Sequence, residues 1–315
     1  MAVVGVVYLY RFAEGEFSAR AFLESYRAHH AGIEHDVHVV LKGFPDERSR
    51  AAARALFASL SANLIELDDA GYDIGSYLAA ARQVANKRLA FLNTFSEILA
   101  DNWLAYLDAA LDRPDVGVVG ATGSWQSLGS AYTAAALRLA HWLKHPVRCA
   151  RIYFEMGPHS SSSTRQALPR RSLRDIGLKI RGLADLYEFG RYPNPHIRTN
   201  AFMMDRERFL SLRHNRFRRK ADVYKFESGR DSMTNQLLKA KLKAFVVDRS
   251  GRIHDVCDCR SSSTFWSGDQ QNLMIADNMT RKYALGSGQL RELLENYAWH
   301  PPSAWPIWPR ASTRA

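Results

Sequence analysis

Leu89-Ala90-Phe91-Leu92 runs directly into Asn93-Thr94-Phe95-Ser96-Glu97, so an apolar segment ends abruptly in small polar groups and one carboxylate. A buried strand with that ending delivers Asn93, Thr94, Ser96 and Glu97 to its carboxyl end, where open α/β sheets bind their ligands. Upstream, Leu67-Asp68-Asp69-Ala70-Gly71-Tyr72-Asp73-Ile74-Gly75 forms a second loop, rich in carboxylates and glycine, again after a strand. Two such loops point to a site for a polar, phosphorylated ligand. Read alone, the upstream loop fits a solvated turn equally well, because aspartate and glycine dominate turns for conformational reasons.

The elements that must position these loops alternate along the first half of the chain. Strands are expected at 3–10, 36–41, 63–67, 90–93 and 116–119, and helices at 18–29, 48–60, 75–86 and 101–111. Ser18 is the expected N-cap of the first helix, with Phe22, Leu23 and Tyr26 on one face. Such alternation predicts an α/β fold with a mostly parallel sheet flanked by helices. Residues 125–195 differ: they are basic, carry the Ser160-Ser161-Ser162-Ser163-Thr164 run, and read as a helical insertion or lid. Strands return at 198–204 and 244–248, and helices at 205–212, 232–241 and 289–297. The expected division is 1–124, 125–195, 196–260 and a C-terminal extension, 261–315.

Composition bounds the partners. With 315 residues, 46% of them hydrophobic, the chain is long enough to bury a sizeable core. Its formal charge of +11 favours an anionic partner, or serves only as a solubilising surface. Cys149, Cys257 and Cys259 form no even disulfide framework, which suits a reducing, cytoplasmic compartment. The single residue between Cys257 and Cys259 is an unusual zinc-ligand spacing, and strand-end packing is the preferred reading. No export signal is read in the apolar N-terminus. The apolar stretch 131–143 is too short to span a bilayer and contains Arg138 and His141.

These landmarks resemble the nucleotide-sugar-binding core of the GT-A glycosyltransferases, particularly the family-2-like bacterial enzymes. The resemblance covers roughly 3–123 and 197–250. The first strand resembles the one whose end meets the nucleotide, and Arg11 at that end is placed to pair with phosphate or lies on the surface. The Asp69–Gly75 loop is similar to the one that carries an aspartate toward base and ribose, which nominates Asp69 and Asp73. Phe91-Leu92-Asn93-Thr94-Phe95-Ser96-Glu97 occupies the place of the family's Asp-X-Asp segment. His196-Ile197-Arg198-Thr199-Asn200-Ala201-Phe202 resembles the loop beside sugar and acceptor, nominating Thr199 and Asn200, which also fit an ordinary strand start. Glu227-Ser228-Gly229-Arg230-Asp231 resembles the acidic motif that supplies a catalytic base.

The resemblance implies a GT-A-like (Rossmann-like) fold and transfer of a sugar, with inversion, from a nucleotide-diphosphate donor. The acceptor is a hydroxyl of a bacterial glycan or lipid-linked saccharide. Asp231 is the expected base and Glu227 the alternative, with Asp231 also able to N-cap the helix that follows. Asn93 and Ser96 stand where carboxylates are expected, leaving Glu97 as the only acid. Glu97, with His254 as a further ligand, would hold Mn²⁺ or Mg²⁺ against the departing diphosphate; a site in which Arg or Lys replaces the cation is the competing option. The alternative function is a non-catalytic relative that binds nucleotide sugar or glycan.

Arg165, Arg170, Arg171, Arg174, Lys179 and Arg181, with Arg213, Arg216, Arg218, Arg219 and Lys220, form a basic set. No recognised nucleic-acid-binding motif accompanies it, so no specific nucleic acid is expected. Peripheral contact with the anionic inner face of the plasma membrane is the favoured role. Trp299, Trp305 and Trp308 either dip into that interface or clasp the core.

Overall fold

The computed structural model describes residues 2–131, 133 and 188–302. Most of the expected insertion, Cys149, the basic residues Arg165 to Arg181, and Trp305 and Trp308 lie outside the described residues.

Period-two alternation builds the centre of the molecule. In strand β1 (Val4–Arg11), Val7 and Leu9 enter one apolar cluster while Val6, Tyr8 and Tyr10 enter another on the opposite face. A strand buried on both faces must be central, and β1 pairs in parallel with both β2 (His35–Lys42) and β4 (Arg88–Leu92). Strand β3 (Asn63–Leu67) pairs in parallel with β2 at the sheet edge. Helices α1 (Glu16–Ala28) and α2 (Glu47–Phe57) cover one face, where the rings of Tyr8 and Phe22 stack at 3.7 Å. Helix α3 (Tyr72–Gln83) covers the other, packing Tyr77 against Phe91 at 4.9 Å.

The second half completes an eight-stranded sheet. After β5 (Glu97–Ile98) and α4 (Trp103–Leu111) come β6 (Val116–Gly120) and β7 (Gly123–Ser124). Strands β8 (His196–Ile197) and β9 (Ala201–Asp205) follow the segment outside the description, then helices α5 (Arg206–Ser211), α6 (Lys220–Ser228) and α7 (Met233–Lys239). With β10 (Lys243–Val247) and β11 (Ile253–Asp255) the sheet order is β11-β10-β6-β9-β4-β1-β2-β3. The fold is α/β, with a mostly parallel sheet flanked by helices. Two of its strands are antiparallel: β9, between β4 and β6, and the edge strand β11.

Several boundaries differ from the sequence reading. The first helix starts at Glu16 with Gly15 at the N-cap, not Ser18; the positive φ of 76° at Gly15 suits a residue without Cβ. Helix α3 begins at Tyr72, three residues earlier than expected, behind Gly71 at φ 79°. The expected strand at 198–204 is two pieces. Its first part is a loop between β8, which pairs with β7, and β9. Glu227 lies in the last turn of α6, with Gly229 as that helix's C-cap, and Ser232 rather than Asp231 caps α7 through the Asn235 amide.

The C-terminal part wraps back onto the core. Strand β12 (Ile275–Ala276) pairs antiparallel with β5, ahead of helices α8 (Asn278–Ala284) and α9 (Gly288–Trp299). Trp299 is buried, its indole N–H shared between the carbonyls of Phe265 (2.9 Å) and Trp266 (3.2 Å), so this tryptophan clasps the core. Among the described residues, no helix is long and apolar enough to cross a membrane.

Candidate functional site

The carboxyl ends of β1 to β4 open onto one cleft of about 500 Å³, within the usual range for small-molecule sites. It is lined by Arg11 and Glu14 after β1, Lys42 closing β2, the loop Asp69–Asp73 after β3, and Thr94 and Phe95 after β4. Phe217 and Arg218, from the segment before α6, complete the wall. The parallel strands place these groups together because each chain crossover returns to the same sheet edge.

Arg11 and Asp69 form a two-pronged ion pair, Nε to Oδ1 at 2.7 Å and Nη2 to Oδ2 at 2.6 Å. Arg11 also donates to Glu14 at 3.0 Å. The hydrogen bonds from Arg11 hold the Asp69 carboxyl below the usual aspartate range. Gly43 makes this approach possible: its N–H donates to the Leu67 carbonyl at 2.9 Å, and a Cβ there would lie 3.0 Å from the Asp69 Cβ.

Lys42 is only 1% exposed, and its ammonium donates to the Tyr72 carbonyl at 2.5 Å. Burial pushes its pKa down, opposed by the charges of Asp73 and Asp69. Burial pushes the Asp73 carboxyl up, opposed by Lys42 and Arg11. A carboxylate and an ammonium, both short of water, thus face the cleft and need a partner or each other. One turn along α3 from Asp73, the buried Tyr77 hydroxyl has no hydrogen-bond partner among the described residues. Burial, then the charge of Asp73, push its pKa well up.

Behind the cleft, Asn93 organises the turn after β4: its side-chain oxygen accepts the Phe95 N–H and the Ser96 hydroxyl, each at 3.1 Å. The carbonyl of Thr94 accepts the Tyr8 hydroxyl at 2.9 Å. The Asn93 N–H donates to the Asn200 carbonyl at 2.9 Å, which ties this turn to the loop between β8 and β9. Asn200 accepts the Thr122 hydroxyl at 2.8 Å, while its buried amide nitrogen has no hydrogen-bond partner among the described residues. Thr199 donates to Glu227 through its N–H at 3.3 Å and through its hydroxyl. The Glu227 charge reaches Asp73 and Tyr77, raising both, and opposes the lowering that burial imposes on the fully enclosed His196.

Three nominated residues stand elsewhere. Asp231 is exposed and paired with Arg213 (2.9 Å) and Lys239 (3.2 Å), off the cleft wall. His254, on the edge strand β11, places Nε2 2.9 Å from Asp248 Oδ2. Asp248 also accepts Ser250 and Arg252 through its other oxygen, so the pair is a loop brace. Glu97 is ion-paired to Arg281 of α8 at 2.8 Å, and Arg281 also donates to the Phe95 carbonyl at 3.1 Å.

The donor set in the turn after β4 therefore does not fit a divalent cation. Mn²⁺ and Mg²⁺ need carboxylate oxygens, and the one carboxylate here already faces a guanidinium. Among the described residues, no group of three His, Cys, Asp or Glu is arranged to hold a metal. Cys257 is exposed and Cys259 buried, and burial pushes both thiols up.

Sequence reasoning missed Glu14, Lys42, Phe95, Phe217 and Tyr77 and gave Arg218 only a surface role. Lys42 carried a readable signal, since it closes the apolar run Val37-His38-Val39-Val40-Leu41 as Arg11 closes the first strand. Phe217 and Arg218 had none, because only tertiary packing brings their segment to the cleft.

No family model matches the chain, and no curated protein matches it. Among solved structures it is similar to a mannosyltransferase from Pyrobaculum calidifontis in complex with GDP-Man and Mn²⁺. That likeness has 13% identity, covers 65% of this chain and 44% of that one, and has a TM-score of 0.37. Mouse xyloside xylosyltransferase 1, in its apo form, is similar at 13% identity over 66% of this chain and 69% of that one, with a TM-score of 0.35. S. aureus TarS matches at 15% identity over 38% of this chain and 21% of that one, with a TM-score of 0.30. The chain thus spans less than half of the mannosyltransferase's length. At these scores the likenesses assign no residue a role, and the α/β architecture rests on the strand order itself.

Proposed function

We propose that this chain is a glycosyltransferase that moves a sugar from a nucleotide-diphosphate donor to a hydroxyl of a glycan or lipid-linked saccharide. The observation that carries the reading is the cleft at the strand ends, where Arg11, Lys42 and Arg218 meet Asp69 and Asp73 beside the aromatic rings of Tyr72, Phe95 and Phe217. Cations suit a diphosphate, carboxylates accept ribose and base donors, and aromatic rings offer a surface for a base.

Glu227 is the better candidate for the base. It is half-buried, close enough to Asp73 to shift its pKa, and held by Thr199. Asp231 is solvated and neutralised by two cations. A carboxylate base on the face opposite the leaving diphosphate gives inversion by direct displacement. Thr199 and Asn200 border the same region and would meet sugar or acceptor. The formal charge of +11 supports peripheral contact with an anionic membrane surface bearing the acceptor.

A second reading, binding of a nucleotide sugar without turnover, is favoured by one observation: the strand-end acid Glu97 is already neutralised by Arg281. Release of nucleoside diphosphate from a panel of nucleotide sugars, with a mixture of saccharide acceptors, separates the two. Turnover that Glu227→Gln abolishes supports transfer; saturable donor binding with no release supports the second reading.

A further inference from the structure

Glu97 and Arg281 come from segments 184 positions apart, yet they meet at 2.8 Å beside Phe95 of the cleft wall. A guanidinium at that point repels a dication and stands against one of the two carboxylate oxygens a dication would need. The other nominated donors are committed as well, Asn93 to the turn amide and hydroxyl and His254, away on the edge strand, to Asp248. The charge of a diphosphate must then be met by the protein's own cations.

Of the cations lining the cleft, Arg11 is spent on Asp69 and Glu14, and Lys42 is buried against the Tyr72 carbonyl. Arg218 differs. Among the described residues its guanidinium has no ion pair or hydrogen bond, and it is exposed at the cleft wall. Its backbone is nonetheless fixed. The N–H groups of Arg218 and Arg219 donate to Asp222 Oδ2 at 3.1 and 2.8 Å. The adjacent Phe217 is buried against His214 and Phe226. A planar, permanently charged fork on a braced segment matches a phosphate without any metal.

We propose that Arg218 binds the diphosphate of the donor and that the site works without a divalent cation, the Glu97–Arg281 pair standing where the metal would otherwise sit. This rests on the glycosyltransferase reading above.

The test is calorimetric titration of the full chain with ADP, CDP, GDP and UDP and their parent nucleosides, in EDTA and again in Mn²⁺. The expected result is that the preferred diphosphate binds equally tightly in both. Arg218→Ala then weakens the diphosphate about tenfold or more, the equivalent of one charged hydrogen bond. The parent nucleoside is left unchanged, and Arg218→Lys recovers part of the loss. Arg218 is exposed, so circular dichroism of both variants should match the wild type. Diphosphate binding that requires Mn²⁺ overturns this inference and leaves the glycosyltransferase reading standing. Equal effects of Arg218→Ala on diphosphate and nucleoside, or no effect on either, overturn it likewise. No binding of any diphosphate in either condition overturns both.

Discussion

Glu227 accepts two hydrogen bonds from Thr199, the backbone N–H at 3.3 Å and the side-chain hydroxyl. Both come from the loop that the Asn200 carbonyl ties to the turn after β4. The carboxylate is thereby held at the last turn of α6, where its charge acts on Asp73. Glu227→Gln preserves size and hydrogen bonding while removing the proposed base. It should lower the transfer rate by about 10²–10⁴-fold with donor affinity unchanged. Asp231→Asn, which loses only solvated ion pairs, should retain the wild-type rate. Steady-state rates with a nucleotide-sugar donor decide it: the opposite ranking of the two variants sinks the assignment.

The parts of this site that the sequence discloses are those carried by local pattern. An apolar run that stops at Arg11, or at Asn93-Thr94, announces a buried strand and its carboxyl end within ten residues. Asp69 and Asp73 follow from the same logic. Strand direction is not local: the run at 201–205 has the composition of its parallel neighbours, and only its position between β4 and β6 makes it antiparallel. The Glu97–Arg281 pair and the arrival of Phe217 and Arg218 depend on how distant segments pack. No spacing rule connects them. Glu227 is legible as an acid but not as a helical one, because a glycine two residues on disfavours a helix interior, and here Gly229 terminates the helix instead.

Gly43 lies directly against Asp69, the partner of Arg11. It has φ 72°, and an added Cβ would meet Asp69 Cβ at 3.0 Å and Cγ at 3.1 Å. Gly43→Ala therefore combines left-handed strain, about 1–2 kcal/mol, with displacement of the ion pair that sets the cleft wall. Urea unfolding should show a loss of about that size, accompanied by weaker donor binding. A variant with unchanged stability and affinity would show that the loop shifts freely and that the spacing is not functional.

Asp248 is 3% exposed and accepts hydrogen bonds from Ser250, Arg252 and His254. Burial pushes its carboxyl up, but the hydrogen bonds outweigh burial and hold it below the usual value. A depressed carboxylate contributes stability that is present above the unfolded value, about pH 3.9, and lost as pH falls through the folded one. Asp248→Asn should accordingly cost about 3 kcal/mol at pH 7. The difference from wild type should shrink as pH drops below about 4. Denaturation at a series of pH values checks this, and a penalty that stays constant into acid would show that the charge of Asp248 contributes nothing.

Tyr77 packs its ring between Phe91 (4.9 Å) and Phe202 (6.0 Å), yet its hydroxyl is buried without a hydrogen-bond partner among the described residues. Burial, then the charges of Asp73, Tyr8 and Glu227, make ionisation of the phenol harder. A buried hydroxyl that has given up water and gained no partner carries a desolvation cost of about 1–3 kcal/mol. Tyr77→Phe keeps the aromatic contacts and removes that cost, so the ligand-free protein should be more stable by about 1 kcal/mol. Chemical denaturation measures the change directly. A loss of stability instead would mean that the hydroxyl holds Asp73 or Glu227 in solution, and that the cleft carboxylates are tied down from beneath before any donor arrives.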